Sequence, residues 1–180
     1  MFDNPYDFKG KGHTKKIHSN TSVKIPYNRY TYAFKDDDKQ TYLVYLDQYD
    51  PNIFIVKYHL KNHSSSSKKY SLRTNGNHAA RVICTSVYIM IDMLKKNPYA
   101  SFGFIGAADN GENKVNTKRF RIYSKVMARL FAPTNFTHYH LVNQSAYFML
   151  SKNTSDQQDV LDALDLIFRE LLSYNIKGDN

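Results

Sequence analysis

HAARVICTSVYIMIDMLKKNP, residues 78–98, is the stretch that decides the fold. Its apolar residues, from Ala79 and Val82 through Ile83, Val87, Ile89, Met90 and Met93 to Leu94, run almost all round a helical wheel. Only Arg81, Ser86 and Asp92 make a polar side, so residues 78–96 are predicted as a central, largely buried helix. Asn97 and Pro98 end it, because proline removes a backbone donor and restricts the residue before it.

Upstream of Gly76 the period is two rather than 3.6. Ile53 to Leu60 opens Ile-Phe-Ile-Val and reads as a strand covered on both faces. Tyr30, Tyr32 and Phe34 alternate with Thr31, Ala33 and Lys35, the aspartates at 36–38 turn the chain, and Thr41 to Leu46 completes a hairpin. Lys69 to Arg73 is a further candidate strand. Residues 1–24, with Gly10, Gly12 and Lys9, Lys11, Lys15 and Lys16, read as a flexible basic arm.

Downstream, Ser101 to Ala107 is a short strand, and its Gly103 and Gly106 suggest a closely packed neighbour. Thr117 is placed as N-cap of a helix from Lys118 to Phe131, closed by Pro133. Phe136 to Val142 and Ala146 to Leu150 form a second hairpin. A third helix runs from Asp156 to about Tyr174, with Ser155 and Gln158 spaced as a capping box. The expected fold is therefore α+β: a mostly antiparallel or mixed sheet of six to seven strands with three helices, in one domain over residues 25–180.

The chain has 180 residues and a formal charge of +9. Residues 1–150 carry 22 Lys or Arg against 10 Asp or Glu, whereas residues 151–180 carry 3 against 6. A basic body favours acidic partners. No long apolar run marks a signal peptide or membrane span, and the single cysteine, Cys84, sits in the apolar helix, so a cytoplasmic, reducing location is expected. No spacing of histidines or acids matches a metal site or a hydrolase motif. No metal is expected. Interleaved cations and rings, as in Arg29-Tyr30-Thr31-Tyr32, would suit stacked bases on a basic sheet or plain cross-strand packing.

Two places suit an anion. At 100° per residue Lys118, Arg121, Lys125 and Arg129 share one helix face, opposite Phe120, Tyr123, Met127, Leu130 and Phe131. No Asp or Glu lies between Glu112 and Asp156, so the alternative partners for these cations are Asp159, Asp162 and Asp165 of the last helix. Arg119 adds to the positive charge at the helix start, where an anion would be welcome. The second place is the turn Arg73, Thr74, Asn75, Gly76, Asn77, His78, which leads into the central helix as a phosphate cradle or as an ordinary tight turn.

From Tyr70 to Leu130 the Asn-Gly turn, apolar helix, glycine-ended strand and Thr-Lys-Arg-Phe-Arg-Ile-Tyr helix start resemble a group of uncharacterised bacterial proteins. The order of elements from residue 30 to 150 is also similar to the later part of the Gcn5-related acetyltransferase fold. That resemblance implies that Arg73 and Gly76 belong to a turn binding the pyrophosphate of acetyl-coenzyme A, with His78 where a small residue is expected, and that Tyr123 stands in the place of the general acid. The family's N-terminal strand and paired helices find no counterpart in residues 1–29. Two functions are thus expected. One is a non-catalytic basic module contacting nucleic acid or an acidic protein without a cofactor. The other is an acyl-coenzyme A-binding protein or acetyltransferase. The stripe Val160, Leu161, Leu164, Ile167, Phe168, Leu171 and Leu172 must cover either the chain's own sheet or a partner in an oligomer.

Overall fold

A computed structural model describes residues 4–18, 22–72, 78–109 and 111–177, with the side chains of the last helix described as far as Leu171. It forms an α+β fold: one mixed seven-stranded sheet with three helices. The strands are β1 (Phe8–Ile17), β2 (Pro26–Lys35), β3 (Thr41–Tyr49), β4 (Ile53–Leu60), β5 (Ser101–Ile105), β6 (Phe136–Leu141) and β7 (Ala146–Ser151). The helices are α1 (Ala79–Lys96), α2 (Lys118–Leu130) and α3 (Gln157–Lys177). The sheet order is β1-β2-β3-β4-β5-β7-β6, and every neighbouring pair is antiparallel except β4 with β5.

Alternation along the strands divides the interior into two cores. Tyr42, Val44, Leu46, Phe54, Phe102, Tyr147 and Met149 face α1 and α2. Tyr49, Ile53, Ile55, Phe148 and Leu150 face α3, whose Val160, Leu164, Ile167, Phe168 and Leu171 are buried against them. As far as Leu171, the apolar stripe of α3 is therefore used on the chain's own sheet. Cys84 is buried in α1.

Four readings change. Residues 8–17, expected within a flexible arm, form β1 and pair with β2, with a bulge between Gly10 and His13; all but the first are exposed, which is why apolar periodicity missed them. Residues 69–72 turn instead of forming a strand, with Ser71 and Leu72 N–H both donating to the Lys68 carbonyl. The cap of α3 is the Asp156 carboxylate, which accepts from Asp159 N–H at 3.1 Å. Leu130 is 37% exposed at the end of α2, while Ser124 and Val126 join the buried side.

Candidate functional site

β4 pairs with β3 along all eight of its residues, but with β5 only from Ile53–Ser101 to Ile55–Gly103. From Phe104 onward β5 keeps only its β7 partner. The β5-facing backbone groups of residues 56–60 are thus left without a strand partner among the described residues, in the middle of the sheet. Interior backbone groups require hydrogen-bond partners, and the carboxyl ends of diverging parallel strands are where open sheets admit ligands.

The gap is floored by aromatic rings. Tyr123 of α2 enters between Tyr58 of β4 and Phe104 of β5, with its ring centroid 4.9 Å from Phe104 and 6.2 Å from Tyr58. The Tyr58 and Tyr123 hydroxyls are hydrogen-bonded to each other. Burial pushes both phenols above the ordinary tyrosine value, and for Tyr123 the neighbouring Tyr58 adds to the rise. Both remain protonated at neutral pH.

One end of the gap is built by the start of α2. A Cβ on Gly106 would lie 2.5 Å from Phe120 N, so glycine lets the first helical turn sit directly on the end of β5. Thr117 joins the two: its Oγ1 accepts from Phe120 N–H at 3.2 Å and donates to the Gly106 carbonyl at 2.7 Å. Arg119 reaches away from the other helix cations. Its guanidinium donates to the Tyr70, Ser71 and Leu72 carbonyls and pairs with Asp109 at 3.0 Å, tying the β4–α1 loop to α2. These carbonyls therefore have no need of a strand neighbour.

The anion expected at the start of α2 is supplied by the chain itself. The Glu112 carboxylate accepts from Asp109 N–H at 3.0 Å and Lys118 N–H at 2.6 Å, and these bonds lower its pKa. Lys118, Arg121, Lys125 and Arg129 are all exposed, as the wheel predicts. Arg121 donates to the Asn116 carbonyl; Lys118, Lys125 and Arg129 make no ion pair among the described residues. The α3 acids cannot serve them, because α3 covers the other face of the sheet; Asp162 accepts from Gln158 and Asp165 from Arg169.

Arg73, Asn75, Gly76 and Asn77 lie outside the described residues. Just beyond them His78 stands 3.4 Å from Asp37 and 3.2 Å from Asp38, and Arg81 pairs with Asp37 at 3.1 Å while its guanidinium covers the Tyr6 ring. The acids of the β2–β3 turn, at the same end of the sheet as Leu60, are thus matched by the start of α1. No group of His, Cys, Asp or Glu suited to a metal occurs among the described residues. No described helix is long and apolar enough to cross a membrane. A shallow groove between β1, β2 and α1 is lined by Tyr30, Tyr32 and Asp92, and that carboxylate is already paired with Lys96 at 2.6 Å.

Sequence reasoning passed over three features: Tyr58, the Asp109–Arg119 tie, and a polar cluster on the α3 side of β2–β4. In the last, fully buried Asp47 accepts from Arg29 at 2.6 and 2.8 Å and from Lys57 at 3.1 Å. Burial alone would raise its pKa, but the bonds and charges of Arg29 and Lys57 outweigh it and the net direction is down. A lone aspartate inside the apolar run Thr41–Tyr49 was the available signal. Comparison with protein-family models, curated proteins and solved structures finds no match to this chain.

Proposed function

We propose that the chain binds an acyl-coenzyme A, with the acyl-pantetheine arm in the β4–β5 gap. The observation that carries this reading is the parallel pair that parts after three residues, leaving the edge of β4 without a strand partner among the described residues, beside the protonated phenols of Tyr58 and Tyr123. Amide groups of a pantetheine arm suit such an edge, since they hydrogen-bond as a strand does. The charge at that end also suits phosphates. The acids nearest the mouth are engaged by Arg119, Arg81, His78 and backbone N–H groups, which leaves the Lys118, Arg121 and Lys125 charges in excess. Arg73, Asn75, Gly76 and Asn77 belong to this reading as the pyrophosphate turn. The β1–β2 connection, residues 18–25, is too short for the paired helices of the acetyltransferase resemblance, so the proposal is binding rather than transfer.

Thermal melting with millimolar acetyl-coenzyme A tests it. A raised melting temperature is expected, because a ligand that binds only the folded state stabilises it. Gly76→Val should remove the shift and leave the apo protein folded. A wild type that shows no shift ends the reading. The second reading, contact of the α2 stripe with nucleic acid or an acidic protein, is favoured by four exposed cations on one face. It requires that replacing Lys118, Arg121, Lys125 and Arg129 with Gln flatten the salt dependence of duplex binding by roughly 0.9 for each phosphate no longer neutralised.

A further inference from the structure

Among the described residues α3 packs over β4, β5, β6, β7 and the ends of β2 and β3, and the rest of that face, from β2 to β4, carries no α-helix. Rings and cations alternate across it. The Arg29 guanidinium lies 5.5 Å from the Tyr27 ring and 4.3 Å from the Tyr45 ring. Tyr45 meets His59 at 5.4 Å, His59 meets Tyr70 at 5.5 Å, and Lys69 lies 5.3 Å from the Tyr70 ring. Tyr45 and Tyr70 belong to neither core and are partly exposed. They are therefore not required to fill the interior.

The charge on this face is one-sided. Asp47 is spent on Arg29 and Lys57. Lys69 has its pKa lowered by burial and then by the charges of Arg29, Lys57 and Lys16, in keeping with a cationic face. Like charges do not gather for stability. Asp47 instead holds Arg29 beside Tyr45, with the guanidinium carbon 4.3 Å from the ring centroid.

We infer that this helix-free face of β2–β4 binds single-stranded nucleic acid, with bases stacking on Tyr45 and Tyr70 and phosphates meeting Lys57 and Lys69. Single strands are the occupant because stacking on these half-buried rings needs unstacked bases, which a duplex does not offer, and an acidic peptide would use the cations but not the rings. The site is on the opposite side of the sheet from Tyr123 and α2 and does not depend on the coenzyme reading.

The test is fluorescence anisotropy with labelled oligo-dT and oligo-U of about 12 nucleotides. Wild type should bind both, with affinity falling as salt rises. Tyr45→Leu and Tyr70→Leu should each weaken binding by about tenfold or more. Lys57→Gln with Lys69→Gln should weaken it and flatten the salt slope by roughly 0.7 for each phosphate no longer neutralised. That second variant keeps a donor for Asp47 and so stays folded even if Tyr45→Leu does not. The α2 variant with four glutamines should bind as wild type does. The inference is overturned by absence of binding at low salt, by a duplex binding as tightly, by polyglutamate competing equally well, or by weakening confined to the α2 variant.

Discussion

Gly103 in the middle of β5 and Gly106 just past its end stand three residues apart, yet an added methyl meets different things. At Gly106 it would fall 2.5 Å from Phe120 N and 2.8 Å from Phe120 Cα, which are backbone atoms of a docked helix. At Gly103 it would approach the ends of Phe168, Ile55 and Phe148 at 3.1 to 3.2 Å, and side chains yield more easily. Urea titration of Gly106→Ala should show a loss of about 3 kcal/mol or more, and Gly103→Ala a smaller one, since overpacking costs most where nothing can move. The reverse order would place α2 wrongly. Asp47 has a pH signature. Its folded pKa is depressed, so its contribution is fully present above the unfolded aspartate value and is lost as pH falls through the lower folded value. The stability gap between wild type and Asp47→Asn should therefore be constant above pH about 5 and shrink below about 4.

Among the elements, α2 shows two kinds of cation on one helix. Arg119 anchors the β4–α1 loop, so Arg119→Gln should lower the unfolding midpoint, whereas Gln at Lys118, Arg121, Lys125 and Arg129 together should leave it nearly unchanged. Thr117→Ala removes a cap and orphans the Gly106 carbonyl, and should cost about 2 kcal/mol in the same titration. On α1 the wheel treats Ile83 and Ile91 alike, but Ile83 is 6% exposed and Ile91 is only partly buried. Ile83→Ala should cost about 2–5 kcal/mol and Ile91→Ala distinctly less.

Across the whole molecule, burial rises from the β1 edge toward the centre of the sheet. β1 has nine exposed residues in succession, while β5 and β7 are buried almost throughout. Native-state hydrogen exchange should follow this gradient. Amides of residues 8–17 should exchange by local opening well below the global free energy, and those of β3 and β7 only with global unfolding. Uniform protection across all seven strands would contradict the arrangement.

Read alone, the sequence determined what local periodicity can determine: three helices, six of the seven strands, the N-cap Thr117, the cationic stripe of α2 and the close approach at Gly103 and Gly106. Those signals lie within a few residues of each other. It could not reveal β1, whose stability comes from pairing with β2 rather than from any apolar pattern of its own. Nor could it show that Arg119 parts from its neighbours to hold carbonyls 47 to 49 positions away, or that Arg29, Asp47 and Lys57 form one cluster across three strands. The parting of β4 from β5 belongs to the same class. Strand neighbours in a mixed sheet are chosen by packing between residues far apart in the chain, and only the tertiary structure decides where such a pairing stops.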